Sequence, residues 1–264
     1  MASQPPPPGI PFAGLKISPN SHLDSSSRLP CPNCAKPSKL FCPICFLALA
    51  HTPPAVSLPV KIDILRHPHE KLGKTTSTHA RVLAPHDTEI VPFRGSEEDV
   101  EEMRRRYPDP SRVLLLFPSK VADATPLSSH PPSEISCIIL LDGTWKQGRA
   151  MARSLLTLPF PRIRISSRRT FFWRYQPFGL DHLSTIEAVY WVTREYHEAF
   201  SAGATGYDGR FDDLLFYFKH NFELIQEMYL NSPGKRFTTR KLDSDTYIRR
   251  GEGEDDDGTG WGAG

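Results

Sequence analysis

The run Ile138–Leu141, followed at once by Asp142, Gly143, Thr144 and Trp145, constrains this chain more than any other stretch. Four consecutive apolar residues are too few for a helix face and predict a strand buried on both sides. Asp142 falls where that strand leaves the sheet. Gly143 permits a tight turn, and Ala150, Met151 and Leu155 then recur at helical spacing. A buried strand that turns into a helix predicts an α/β fold with a parallel sheet, in which ligands bind at the carboxyl ends of the strands. Asp142 is then either a working carboxylate or, with Thr144, one of two candidates to cap the helix that follows.

Taken in order, residues 1–28 hold Pro5–Pro8, Pro11, Pro19 and Ser25–Ser27, a composition that predicts a disordered tail. Cys31, Cys34, Cys42 and Cys45 form two Cys-x-x-Cys pairs separated by a short spacer, the pattern of four thiolates around tetrahedral Zn²⁺. Such a metal would be structural, because four thiolates leave no open position, and residues 29–55 form the lobe it ties together. Cys137 stands apart and reads as a small buried hydrophobe. Residues 56–231 form the main domain, with strands predicted over Val60–Leu65, Val113–Phe117 and Pro161–Ile165, and residues 120–134 as a long loop. Ser96–Tyr107 places Glu97, Glu98, Glu101 and Glu102 ahead of Arg104–Arg106, as the dipole of a surface helix favours. Ser184 and Glu187 make a capping box for a helix whose Val189, Val192, Tyr196 and Phe200 share one face. Leu214, Leu215, Phe218, Phe222 and Ile225 predict a closing helix, and the glycine-rich, finally acidic residues 232–264 a mobile tail.

Charge is informative by position. The net charge is only +2, yet Gly143–Leu180 contains no Asp or Glu while holding Lys146, Arg149, Arg153, Arg162, Arg164, Arg168, Arg169 and Arg174. Phe171, Phe172, Trp173 and Tyr175 interleave with the last of these, the combination of cations and planar faces that unpaired RNA requires, although at least two of the four rings are expected in the core. The chain has no run of about 18 apolar residues, which argues against a membrane-spanning helix, and its first residues lack the pattern of a secretory signal, so an intracellular location is expected. Gly73-Lys74-Thr75-Thr76 is reminiscent of a phosphate loop. That motif needs a glycine where Pro68 stands, a residue with no N–H to offer, so nucleoside triphosphate binding is set aside.

Asp142-Gly143-Thr144-Trp145 resembles the Asp-x-Thr-Trp signature of the DTW-domain family, the tRNA-uridine aminocarboxypropyltransferases. The resemblance extends to Lys61–Ile64, to His67, Pro68, Glu70, Gly73–Thr76, His79, Ala80 and Leu83–Pro85, to Arg168–Thr170 and Phe172–Arg174, and to Leu183–Ala188. It implies a SPOUT-like knotted parallel sheet with flanking helices, preceded here by the zinc-binding lobe. It also implies transfer of the 3-amino-3-carboxypropyl group of S-adenosylmethionine to N3 of a tRNA uridine, in the D-loop at about position 20, with release of methylthioadenosine. On that basis Asp142 is expected to deprotonate N3 or to neutralise the sulfonium, with Thr144 and Trp145 beside it, Trp145 either stacking on a ligand or wedging the helix. Phe117, Pro118, Ser119, Gly143, Leu183, Ser184 and Thr185 are expected to hold the donor. Arg149, Arg153, Arg162, Arg164, Arg168 and Arg174 are expected to meet tRNA, and the eukaryotic relatives point to the nucleus. The competing reading is a zinc-knuckle RNA-binding protein without activity.

Overall fold

The computed structural model describes residues 11–116, 124–173, 182–201 and 206–231. Two short strands, β1 (Leu29–Pro30) and β2 (Pro37–Ser38), form an antiparallel ribbon around the first cysteine pair. The main sheet holds β3 (Lys61–Arg66), β4 (Thr88–Pro92), β5 (Val113–Leu116), β6 (Thr125–Pro126), β7 (Cys137–Asp142) and β8 (Arg162–Arg164) in the order β4-β3-β7-β5-β8-β6, every pair parallel. Its helices are α1 (Ser77–Leu83), α2 (Glu97–Arg106), α3 (Trp145–Leu155), α4 (Thr185–Phe200) and α5 (Phe216–Leu230).

The apolar run predicted as a strand extends one residue further at each end, so that Asp142 is itself the last strand residue of β7. Alternation along β3 and β7 sorts their side chains to two cores. Ile62, Ile64, Ile138 and Leu140 pack with residues of α1, α4 and α5, while Leu65, Cys137 and Ile139 pack with Met103 of α2 and with Met151 and Leu155 of α3. A parallel sheet covered on both faces needs such continuous apolar strands, which is why β5 and β7 look uniformly hydrophobic.

Several expectations change. Residues 11–28, read as part of a disordered tail, lie against the last helices. Phe12 packs with its ring centroid 5.4 Å from that of Phe171 and, edge-on, 5.3 Å from that of Phe222, Leu23 is fully buried, and the backbone N–H groups of Lys16 and Ser18 each donate to an aspartate, Asp212 and Asp213, at 2.6 Å. Composition averaged over a proline-rich stretch conceals these few apolar anchors. The predicted loop at 120–134 contains β6 and two turns of 3₁₀ helix, Leu127–Ser129 and Pro132–Glu134. The strand expected over Pro161–Ile165 is limited to Arg162–Arg164. β4 and α1 carry no sequence signal strong enough to have been anticipated. Both terminal tails, residues 1–10 and 232–264, lie outside the described residues.

The small lobe docks on the main domain through Leu40, Phe41, Phe46 and Ala48, which meet Val82, Leu83, Phe216 and Tyr217. His51 reinforces this seam, its Nε2 lying 2.7 Å from the Tyr217 hydroxyl.

Candidate functional site

β7 lies between β3 and β5, so its carboxyl end opens between two further strand ends, and Asp142 stands there 4% exposed. Three hydroxyls converge on its carboxylate. Thr75 and Ser77 donate to Oδ2 at 2.6 and 2.7 Å, and Thr185 donates to Oδ1 at 2.7 Å. These donors come from the loop after β3, from the first residue of α1 and from the first residue of α4. A fourth contact ties the two helix starts directly: the Ile186 N–H donates to Thr76 Oγ1 at 3.1 Å. Asp142 is therefore the point at which three chain segments, spread over about 110 residues, are joined.

The turn after Asp142 is fitted closely. A methyl group on Gly143 would lie 3.2 Å from the Gln147 side chain and 3.3 Å from the His67 Cβ, so glycine lets the strand exit pass beside the start of the β3 loop. Thr144, exposed, caps α3: its Oγ1 accepts from Gln147 N at 3.4 Å while Gln147 Oε1 accepts from Thr144 N at 2.7 Å. That capping box accounts for Thr144 without any chemical role. The Trp145 ring meets His182 edge-on at 4.5 Å, half-buried at the rim. The backbone N–H groups of Lys74 and Thr75 both turn inward to Lys71 O, at 2.7 and 3.1 Å, so they are spent within the turn rather than offered to a phosphate. His67, at the same rim, is held below its ordinary pKa by burial and by the neighbouring His69 and Arg94 charges.

Ser184 and Thr185 fall in the site as expected, but they do different work. Thr185 faces Asp142, whereas Ser184 turns its hydroxyl to Glu187 Oε2 at 2.7 Å. Glu187, buried, also accepts from Ser184 N, Thr170 Oγ1 and Phe171 N, at 2.8, 2.7 and 2.7 Å. Burial pushes its carboxyl upward and the four donors oppose this. The box thus also pins residues 170–171 to the start of α4. Leu183 is half-buried beside it. Phe117, Pro118, Ser119 and Arg174 lie outside the described residues.

The basic segment does not form one surface. Arg149 and Arg153 are exposed on α3. Arg164 and Arg168 instead line a cleft of about 310 Å³ at the far edge of the sheet, with Leu127, Ser166 and Glu195. Arg168 is engaged there, 3.5 Å from Glu195 and with its guanidinium 4.7 Å from the Trp191 ring. Arg162 is half-buried on β8. Of the interleaved aromatics, Trp173 is buried and packs at 5.1 Å on Phe218, and Phe171 and Phe172 rest on the same core, so three of the four rings serve packing.

In the small lobe the two cysteine pairs repeat one geometry. Ala35 N donates to Cys31 O at 2.8 Å and Phe46 N to Cys42 O at 2.9 Å, and Ala35 and Phe46 both take φ near +60°, at 59° and 58°. The four Sγ atoms lie within 4.8 Å of one another, with Cys34 and Cys42 at 3.6 Å. A tetrahedron with Zn–S of about 2.3 Å has edges of roughly 3.8 Å, so the donor set fits such an ion. Burial and the neighbouring sulfurs push the Cys45 thiol up to about 12, a crowding that a cation would relieve.

Sequence reasoning missed Thr75 and Ser77 as site residues. Thr75 was in view within Gly73–Thr76, but its proximity to Asp142 follows from the β3–β7 pairing and leaves no local trace.

A buried carboxylate at the central strand end of an all-parallel sheet, gathered by hydroxyls from two helix starts, defines an α/β protein of the class that binds ligands in the crevice beyond the strands. No helix among the described residues is long and apolar enough to cross a membrane. The DTW domain matches residues 28–226, and the chain belongs to the DTW-domain family. Among its relatives, tRNA-uridine aminocarboxypropyltransferase 1 of Xenopus laevis is 29% identical over 76% of this chain and 81% of its own length. The protein of the same name from Mus musculus is 30% identical over 76% and 78%. A tRNA-uridine aminocarboxypropyltransferase 2 of Drosophila melanogaster matches over 48% of this chain and 49% of its own, at 31% identity. No solved structure gives a significant match.

Proposed function

We propose that this chain transfers the 3-amino-3-carboxypropyl group of S-adenosylmethionine to N3 of a tRNA uridine, in the D-loop at about position 20 by analogy with its relatives. In that reaction the N3–Cγ bond forms as the Cγ–S⁺ bond breaks. Its electron pair stays on sulfur, methylthioadenosine leaves, and the N3 proton passes to solvent or a base. The names of the relatives support the reaction, and the site supports the class of ligand. The interleaved strand order, with β7 and β8 each inserted between strands laid down earlier, accords with a SPOUT-like knotted sheet. A nuclear location rests on resemblance alone.

The observation that carries the reading is the hydroxyl-gathered Asp142. Three O–H donors use three of about four acceptor positions of the carboxylate and fix it in place. A carboxylate so occupied has little room to take a proton from a base and is well fixed as a counter-charge. Of the two roles expected for Asp142, neutralising a cationic donor is therefore the better supported. Gly143 and Thr185 line the donor side with Leu183 and Ser184. Trp145 closes the rim against His182, and Zn²⁺ held by Cys31, Cys34, Cys42 and Cys45 would fix the lobe that packs on α1 and α5.

The reading is tested by incubating the full chain with S-adenosylmethionine and unmodified tRNA and examining the nucleosides by mass spectrometry. A uridine heavier by one aminocarboxypropyl group, with methylthioadenosine in equal amount, is the expected result. RNA binding with neither product would favour the non-catalytic alternative. If about four of Arg149, Arg153, Arg162, Arg164, Arg168 and Arg174 meet phosphates, tRNA affinity falls roughly fifty-fold between about 50 and 200 mM salt.

A further inference from the structure

Arg66 is the last residue of β3 and pairs in register with Asp142, about 5 Å away across the parallel ladder. Ile62 and Ile64 on β3, and Ile138 and Leu140 on β7, face the core shared with α1 and α4, so by the strand's period of two Arg66 and Asp142 both leave the sheet on that side. Asp142 does so demonstrably, since it meets Ser77 and Thr185. Two opposite charges thus stand side by side at the crevice, yet they are not spent on each other. The carboxylate takes its hydrogen bonds from the three hydroxyls, and Arg66 Nη1 is buried with no hydrogen-bond partner among the described residues. Arg66 feels Asp142 and Glu70 only through space, and burial outweighs both in drawing its pKa below the ordinary value.

A buried guanidinium N–H without an acceptor is costly, and Arg66 differs from Arg168 and Arg169, whose buried Nε atoms also lack a hydrogen-bond partner among the described residues, in standing beside the strand-end carboxylate, where a ligand can supply the acceptor. The neighbouring fixed anion narrows the choice. A site that offers a cation and an anion on paired residues of adjacent strands is complementary to a zwitterion, whereas a phosphate would be repelled by Asp142. We infer that Arg66 binds the α-carboxylate of the donor's amino-acid moiety, with Asp142 beside it facing the donor's cationic groups. This rests on the donor proposed above and adds a residue to it. The group being transferred is gripped by its own charges, which presents Cγ rather than the methyl carbon to the nucleobase.

The test is isothermal titration of the full chain, wild type and Arg66→Gln, with three probes: S-adenosylmethionine, S-adenosylhomocysteine and methylthioadenosine, the last lacking the amino-acid moiety. Arg66→Gln should weaken the first two by about ten- to hundredfold, the range of one charge-assisted hydrogen bond, and leave methylthioadenosine within about twofold. Arg66→Lys should recover part of the loss. A melting temperature unchanged in Arg66→Gln separates this from unfolding; a lowered one with equal loss for all three probes would make Arg66 structural and overturn the inference. So would unaltered affinity for all three, or a loss confined to tRNA, which would assign Arg66 to a phosphate. A wild-type chain that binds S-adenosylmethionine no better than methylthioadenosine would dispose of the zwitterion site while leaving a nucleoside site standing. One that binds none of the three would sink the donor reading itself.

Discussion

Two buried carboxylates on adjacent strands are treated oppositely by this fold. Asp63, in the middle of β3, is fully buried and faces α2, where Tyr107 OH donates to it at 2.5 Å, Arg106 lies at 3.2 Å and Lys61 at 3.5 Å. Arg106 also holds Glu89 at 2.6 Å, so the network satisfies its charges internally and draws the Glu89 carboxyl below its usual range, chiefly through the Arg106 hydrogen bond. Asp142, at the end of β7, is surrounded by neutral hydroxyls although Arg66 stands next to it. Asp63 is matched by cations, whereas Asp142, like the capping Glu187, is held by neutral donors; what sets Asp142 apart is its place at the open end of a central strand. The cysteine lobe is a third case, four sulfurs grouped closely enough to hold a metal ion that would match them.

Removing that metal should have the largest effect, because its binding energy, on the order of 10 kcal/mol in comparable small sites, is folding energy for the lobe. A strong chelator, or Cys34→Ser, is expected to open residues 29–51 to hydrogen exchange and to release one equivalent of zinc. Unchanged protection would show that the seam at Phe41, Phe46 and Tyr217 suffices. Next comes Asp63→Asn, expected to cost about 2–4 kcal/mol of stability in denaturant titrations, somewhat below a fully buried pair because Arg106 is 23% exposed and keeps Glu89. Its turnover per folded molecule should stay within about twofold of wild type. Lost turnover without lost stability would erase the contrast between the two carboxylates.

The hydroxyls provide a finer gradation. Ser77→Ala removes a buried donor to a charge and should lower donor affinity by about 1.5–3 kcal/mol, while Thr75→Val and Thr185→Val, both half-buried, should cost about 1 kcal/mol each. Equal effects from all three would mean that burial does not set their value. A pH effect in α1, small per unit, stands apart from the site. Burial holds His79 at about 3, so the folded chain keeps it neutral where the unfolded chain, titrating at about 6.5, binds a proton. Stability should therefore fall as pH drops below about 6.5, by up to about 1.4 kcal/mol per unit from this residue, and His79→Phe should flatten the slope.

What could be read from the sequence was whatever is local. The strand-to-helix turn at Asp142, the capping boxes at Ser184 and the cysteine spacing all declare themselves within a dozen residues. The Asp142 hydroxyl cluster does not, since Thr75, Ser77 and Thr185 reach it only after the strands have paired and α1 and α4 have docked. Arg66 was hidden for the same reason, because its significance lies in a register with β7. The arginines between 149 and 168 show the converse: close in sequence, they are distributed by the fold between α3 and the β8 edge of the sheet.

The central claim, that Asp142 is a fixed counter-charge, is tested most directly by comparing donor affinity and single-turnover rate in Asp142→Asn. The account predicts that S-adenosylmethionine affinity falls at least about tenfold, the value of about 1.4 kcal/mol of lost charge interaction, with the melting temperature nearly unchanged. Full donor affinity accompanied by a rate reduced by about 10²–10⁴-fold would contradict it and return Asp142 to the role of proton acceptor.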